Sequence, residues 1–250
     1  MHTVPEFVRE FIRHYASRDG VLWQTLAKLL FAPGVLTLEY LAGKRTGYLR
    51  PLQLYLAVSV VVFAATQIYG LDLSLRLIGE HGIHLVRGTP LPVADDNIAS
   101  RFSPLQLILD HIDIAKVRHF ASLSNEERFN FLRARRLQYI SSFILLMVPV
   151  FALIMKACYR SHRRRYAEHL IFGLHIHSFA LLILLAQTLL PAVLGNLLSL
   201  WILGYLFTSL KRVYGGSRAA VLGRGALVAM LYWTSYFAGN FLLILALVQW

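Results

Sequence analysis

The sequence predicts an all-α protein: a polytopic membrane helix bundle with about five transmembrane helices, N-terminal interfacial helices and a helical extracytoplasmic loop domain. Composition is the first observation, because 57% of the 250 residues are hydrophobic and 15% are charged, whereas soluble domains are about a quarter charged. The second is a series of long uncharged apolar runs flanked by basic residues. Because the net charge of +12 lies at these flanks, no nucleic-acid partner is expected.

Residues 1–50 are predicted to form cytoplasmic or interfacial amphipathic helices. Apolar residues recur at helical spacing in 4–15 and in 22–31, and Pro33 and Gly34 end the second pattern. Both segments are too short or too charged to span a bilayer. No cleavable signal peptide is expected, because the first fifty residues carry seven Lys/Arg and four Asp/Glu with no uninterrupted apolar core.

Five apolar segments are predicted to cross the membrane. The first, 51–68, has no charge and nearly the length needed to cross about 30 Å of hydrocarbon. The others are 139–158, 170–190, 193–210 and 225–247.

The polar loop 69–138 separates the first two predicted spans and holds eight of the thirteen acidic residues. We expect it to form a helical domain outside the cytoplasm. Within it, Ser124 and Glu127 have the spacing of a capping box that starts a new helix. Neither Pro nor Gly follows until Pro149, so this helix is expected to continue into the second span.

Basic residues predict the orientation. The connections between spans two and three and between spans four and five carry nine Lys/Arg and one acid, so both are expected in the cytoplasm. This places the N-terminus inside and the C-terminus outside a bacterial inner membrane. Three arginines before span two, within 133–136, lie on the predicted outer side, although long loops translocate largely regardless of charge.

A cluster of ionisable residues marks the start of the third predicted span. Such groups are costly in lipid and usually face the bundle interior or a water-filled cavity. At 100° per residue His169, His175 and His177 project in different directions, so they cannot all meet one ligand from this helix. The candidate ligand pocket comprises Glu168, His169, His175, His177, Asn196 and Asn240.

Three interpretations of these histidines remain open. They can bond across helices to groups such as Asn196, Thr234, Ser235 or Asn240 and only hold the bundle together. They can form a proton or ligand site, or they can ligate a metal or haem, which requires further ligands from another element. No metal site or catalytic residue is assigned, and the single Cys158 cannot form a disulfide within the chain.

A second candidate site lies just before the first span. Lys44, Arg45 and Arg50 are expected to contact anionic lipid headgroups or a phosphate, beside Gly43 and Gly47. The segment lacks the spacing and the preceding strand of a P-loop. The lipid bilayer and its anionic headgroups are therefore the expected partners, together with a possible protein partner in a membrane complex.

Three stretches together resemble a bacterial integral membrane family called domain of unknown function 3667. They are residues 19–51, with Ala32-Pro33-Gly34, Gly43-Lys44-Arg45 and Tyr48-Leu49-Arg50-Pro51; residues 166–179, with Tyr166, Glu168, His169, Phe172, His175, His177 and Phe179; and Tyr205 with Lys211-Arg212-Val213-Tyr214-Gly215. The likeness spans roughly 19–245 and implies an integral membrane protein whose biochemical role is unassigned. Members often begin with a cysteine-rich zinc ribbon, which has no counterpart here.

Three functional classes follow. The leading hypothesis is a protein that binds or moves a small molecule, ion or lipid through a polar intramembrane pocket, with Lys44 and Arg45 at its cytoplasmic mouth. The first alternative is a non-catalytic accessory or scaffold subunit of a membrane complex. The second alternative is a membrane redox component that binds haem or quinone. On balance the sequence favours a protein that is not an enzyme, and it identifies no cofactor.

Overall fold

The computed structural model describes residues 20–69, 113–160 and 164–249. All secondary structure in these ranges is α-helical. The predicted helix at 4–15 and the larger part of the predicted outer domain, 70–112, lie outside the described residues. The chain forms two compact units, the first comprising Met1–Leu73 and Ser141–Thr234 and the second comprising Ser74–Ile140 and Ser235–Trp250.

The first unit opens with a hairpin of two short helices, α1 (Val21–Phe31) and α2 (Val35–Leu41). The predicted break at Pro33 and Gly34 is confirmed, and Gly34 adopts φ +75°, a conformation that L residues with a side chain rarely adopt. A Cβ atom on Gly34 would lie 3.1 Å from the Cα of Ser209, so the turn of the hairpin lies directly against a neighbouring helix. Position 34 therefore requires glycine for two reasons: the positive φ angle and the close contact with the Ser209 backbone.

Four longer helices contribute to the same unit. Helix α3 (Pro51–Tyr69) begins at the proline that opens the first predicted span, where a missing N–H costs nothing. Helix α6 (Tyr166–Leu189) packs against α3, against the hairpin and against α7 (Ala192–Tyr214). The carboxyl-terminal half of α5 (Asn125–Cys158) and the first half of α8 (Arg218–Gln249) complete the unit.

Helix α6 is the core of this unit. Twelve of its residues are buried, among them all three of its histidines. Its close contact with α5 depends on Gly173, because a Cβ atom there would lie 3.2 Å from the Phe151 ring. The polar side chains of α6 are therefore surrounded by other helices of the unit on more than one side.

The second unit contains α4 (Ile114–Ser122) and the amino-terminal part of α5. Asp113 caps α4 by accepting from the backbone N–H groups of Ala115 (2.9 Å) and Lys116 (3.3 Å). The predicted capping box at the start of α5 is confirmed: the Ser124 N–H donates to Glu127 Oε2 (2.8 Å) and the Glu127 N–H donates to Ser124 Oγ (3.2 Å). The expected long helix is also confirmed, since α5 has 34 residues and passes through Pro149.

Three helices in the described ranges are long and apolar enough to cross a membrane: Tyr166–Leu189, Val193–Tyr214 and Arg218–Val248. The apolar helical segments Pro51–Thr66 and Ser142–Cys158 are shorter than this criterion requires. Helices α6, α7 and α8 begin or end outside the apolar segments predicted from sequence, because charged residues such as Glu168, Lys211 and Arg218 favour a helix as well as most apolar residues do. Within the described ranges the protein is therefore all-helical, with three candidate membrane-spanning helices, and five spans remain a prediction.

Candidate functional site

The first two residues of the predicted pocket, Glu168 and His169, lie in the first turn of α6; His169 bonds to the end of α7, and Glu168 bonds to Arg164, which in turn bonds to the end of α7. Arg164 Nη1 donates to Glu168 Oε2 (3.0 Å), and Arg164 Nη2 donates to the Val213 carbonyl oxygen (2.9 Å). His169 Nδ1 lies 2.8 Å from the Tyr214 hydroxyl, and the two rings stack at 5.6 Å. His169 directly, and Glu168 through Arg164, therefore join the start of α6 to the end of α7.

Tyr214 is the centre of an aromatic cluster at these helix ends. Its ring lies 4.3 Å from the Tyr159 ring and 5.5 Å from the Phe172 ring, and the Arg164 guanidinium lies 5.4 Å above it. Arg224, from the first turns of α8, lies 5.6 Å above Tyr159, whose phenol pKa is raised mainly because its burial disfavours the phenolate. Ring stacking and cation–π contacts thus connect Tyr159, the residue directly after α5, with α6, α7 and α8.

His175 lies two to three turns into α6 and bonds to the hairpin. Its Nδ1 lies 2.9 Å from Thr37 Oγ1 on α2, and both side chains are buried. Its Nε2 is also buried and has no hydrogen-bond partner among the described residues. A neutral imidazole has one N–H donor and one acceptor nitrogen, so Nε2 presents either an unused proton or an unused lone pair.

His177 differs because both of its ring nitrogens are satisfied. Nδ1 lies 2.8 Å from the Gly173 carbonyl oxygen, and Nε2 lies 2.9 Å from the Tyr232 hydroxyl on α8. A carbonyl oxygen only accepts, so Nδ1 carries the proton and the neutral ring accepts from Tyr232 through Nε2. The Phe151 ring packs edge-on against this histidine at 5.3 Å. His177 therefore joins α6 to α8.

The three histidines bond to three different helices, which agrees with their different directions around α6. Their partners are Tyr214, Thr37 and Tyr232. The sequence interpretation named Thr234 among the expected partners, but Thr234 donates to the Met230 carbonyl of its own helix. The two tyrosines and the hairpin threonine were missed because the spacing of residues within α6 does not indicate which distant side chains pack against it.

The two asparagines of the predicted pocket lie on α7 and α8. Asn240 is buried in the second unit and donates to the Tyr236 carbonyl oxygen four residues earlier (3.2 Å). Asn196 lies in the first turns of α7, and its side chain is outside the described part of the chain.

Two further buried hydroxyls have no hydrogen-bond partner among the described residues and lie on helices packed against α6. They belong to Tyr55 on α3 and Ser209 on α7. The Ser209 backbone contacts Gly34, three residues before Thr37. The hairpin is therefore flanked by polar atoms of His175 and Ser209 that the described protein groups do not satisfy.

The predicted headgroup residues Lys44, Arg45 and Arg50 are all exposed. They lie between α2 and α3, where Gly43 adopts φ +89° and the Arg45 guanidinium lies 5.3 Å from the Tyr40 ring centre. No group of three or more His, Cys, Asp or Glu side chains within 20–69, 113–160 and 164–249 could hold a metal ion.

Part of the chain matches a known family model. Residues 19–63, which contain the hairpin and most of α3, match the family model described as "Protein of unknown function (DUF3667)". No curated protein and no solved structure matches the chain. The matched segment includes the Pro-Gly turn and the Gly-Lys-Arg sequence on which the resemblance rests, so the match supports the family assignment made from the residues.

Proposed function

We propose that the chain is a five-span protein of the bacterial inner membrane, with its amino terminus in the cytoplasm, and that it binds or moves a small molecule, ion or lipid at a polar intramembrane site centred on His175. Three helices of sufficient length and apolarity support the membrane location. The basic ends of α6, α7 and α8 support the orientation. The family match over 19–63 supports membership for the whole chain.

The observation that carries the proposal is the unsatisfied Nε2 of His175. A buried polar atom without a partner costs about 1–3 kcal/mol, and the hydrocarbon around a membrane helix provides no water to offset this cost. A bound ligand that supplies the missing hydrogen bond removes the cost. Ser209, whose backbone lies against Gly34 of the hairpin, has a second buried polar group that we propose such a ligand satisfies.

The contacts reduce the predicted pocket to a smaller site. Glu168 is held by Arg164, and His177 uses both ring nitrogens within the protein. Only His175 combines complete burial with a ring nitrogen that the described residues leave open. The proposed site is therefore His175 with Thr37 and Ser209 beside the hairpin.

A His175→Asn variant tests the proposal. The Asn side-chain amide occupies the position of the imidazole Nδ1, so the variant retains a partner for Thr37 and loses the group at Nε2. The protein is purified in native-like lipid, and its co-purified small molecules are measured by mass spectrometry. We expect a species that is retained by the native chain and lost in the variant, while thermal stability changes little.

The matched control is His177→Asn, which retains a partner for the Gly173 carbonyl and loses the bond to Tyr232. We expect this variant to be less stable and still to retain the bound species. The proposal is wrong if the native chain retains no such species, or if both variants lose it equally. A haem or quinone in the extract, identified by its optical spectrum, would place the chain in the redox class.

A scaffold or accessory-subunit role is the second candidate, and the outward-facing residues of α7 and α8 favour it. Large apolar side chains are exposed along both helices, including Trp201 and Trp233 near the middle of each. Tryptophan usually lies at membrane interfaces, so its position within a span fits a helix surface covered by another protein. Cross-linking from p-benzoylphenylalanine introduced at 201 or 233 in native membranes tests this role. A scaffold role predicts a protein adduct of defined mass. Lipid adducts alone would contradict it.

A further inference from the structure

The first unit has a large excess of positive charge. Its described residues contain twelve Lys/Arg and two acidic residues, Glu39 and Glu168. Both acids are already used within the protein, because Lys28 Nζ donates to Glu39 Oε2 (2.6 Å) and Arg164 pairs with Glu168. The hydrogen bond from Lys28 lowers the pKa of the Glu39 carboxyl, which therefore stays ionised beside this lysine. The remaining cations have no acidic partner among these residues.

Much of this charge lies at one end of the unit. The bond from Arg164 to the Val213 carbonyl brings the start of α6 to the end of α7. Arg212 Nη1 donates to the Pro33 carbonyl oxygen (2.6 Å) and ties the hairpin to the same region. We call the exposed cations of this unit the basic surface, represented by Lys44, Arg45 and Arg50 after the hairpin and by Arg165, Lys211 and Arg218 at the ends of α6, α7 and α8.

The same unit also exposes aromatic side chains on α1 of the hairpin. The inner face of α1 is buried through Leu22, Thr25 and Leu29, while Trp23 is 63% exposed and Phe31 is 84% exposed. The Tyr205 hydroxyl donates to the Leu29 carbonyl oxygen (2.6 Å), which fixes the orientation of this helix. A short helix with exposed aromatic side chains, in a unit rich in exposed cations, is typical of a helix lying at the boundary between headgroups and acyl chains.

We propose that the basic surface binds anionic phospholipids, with lipid phosphates on Lys44, Arg45 and Arg50 and acyl chains along Trp23 and Phe31. A soluble phosphate satisfies the cations but leaves the two aromatic residues in water, whereas a phospholipid covers both. The charge excess predicts preference for an anionic headgroup over a zwitterionic one. This inference is independent of the proposed site at His175.

Native mass spectrometry of the detergent-purified full chain, titrated with phosphatidylglycerol or phosphatidylcholine, tests the proposal. We expect tighter binding of phosphatidylglycerol, with a preference that decreases as salt is raised from about 0.05 to 0.5 M, because salt screens exposed charges. Each neutralised cation should weaken phosphatidylglycerol binding about fivefold, or about 1 kcal/mol. The triple variant Lys44→Gln, Arg45→Gln, Arg50→Gln should therefore lose roughly 100-fold, while phosphatidylcholine binding stays unchanged.

Lys116→Gln is the matched control for the single variant Lys44→Gln, because Lys116 is an exposed lysine of the second unit. It should leave the lipid preference unchanged. Equal binding of the two lipids by the native chain, or an unchanged preference in the triple variant, would refute the proposal. Displacement of phosphatidylglycerol by millimolar inorganic phosphate would also refute it, in favour of a soluble anion. If the triple variant does not fold, the salt dependence of the native preference decides.

Discussion

A pair of glycines in α8 provides a sharp test of how closely α7 and α8 pack. A Cβ atom on Gly225 would lie 2.8 Å from Phe207 Cδ1, closer still to Phe207 Cε1, and 3.2 Å from Leu210 Cδ1. A Cβ atom on Gly223 would meet nothing within 4 Å. Both positions are helical, so Gly223→Ala and Gly225→Ala share the same gain in helix propensity and differ in the contact that they create.

The expected magnitudes follow from these two terms. Replacing a helical glycine by alanine gains about 1 kcal/mol, and an overpacked methyl group costs about 1–3 kcal/mol. Gly223→Ala should therefore raise the free energy of unfolding by up to about 1 kcal/mol. Gly225→Ala should give a value about 1–3 kcal/mol below that of Gly223→Ala, because the Phe207 ring must move.

Equilibrium unfolding in mixed detergent micelles, followed by circular dichroism, measures the difference between the two variants. Repeating both substitutions in a Phe207→Leu background should shrink the difference, since a smaller side chain faces Gly225. The reasoning is refuted if the two alanine variants are equally stable, or if the difference is the same with leucine at 207.

Three further predictions concern the hairpin and the start of α5. Gly34→Ala should destabilise the protein more than Gly43→Ala. Both substitutions place a side chain on a left-handed backbone, which costs about 1–2 kcal/mol. A methyl group at Gly34 also meets the Ser209 backbone, whereas a methyl group at Gly43 meets nothing within 4 Å. Equal losses in thermal unfolding would contradict the tight turn. The hydrogen bond between Lys28 and Glu39 raises the pKa of the lysine and lowers the pKa of the glutamate. The pair therefore stabilises the fold between about pH 4.5 and about pH 10.5, the ordinary pKa values of the two groups. This stabilisation is lost when acid protonates Glu39 or when base deprotonates Lys28. A Lys28→Met variant should therefore be less stable than the native chain at pH 7 and converge with it at both extremes, and a stability difference independent of pH would exclude the pair as its cause. Ser124→Ala should cost about 1 kcal/mol at the first turn of α5, seen as faster amide hydrogen exchange there, and unchanged exchange would show that the capping box contributes nothing.

Local features of the sequence were sufficient for several elements. The Pro-Gly break between α1 and α2, the capping box at Ser124 and the unbroken helix through Pro149 were all predicted from neighbouring residues and confirmed. The helix ends were less predictable, because the apolar pattern marks hydrocarbon thickness while α6, α7 and α8 extend into polar segments. Orientation in the membrane and the number of spans remain predictions.

In the candidate site, too, some features follow from local sequence and others do not. That His169, His175 and His177 point in different directions follows from helix periodicity alone, because consecutive residues of any helix are separated by a fixed angle. The hydrogen-bond partners of these histidines do not follow from periodicity, because Thr37, Tyr214 and Tyr232 lie between 45 and 138 residues away along the chain. Only packing of the hairpin, α7 and α8 against α6 decided that two histidines bond to tyrosines while Nε2 of His175 stays open within the described part of the chain. The sequence by itself therefore determined the all-helical fold of the described residues and the different directions of the three histidines around α6, because both depend on local composition and periodicity. The tertiary structure decided the hydrogen-bond partners, because these depend on contacts between residues that are far apart in sequence.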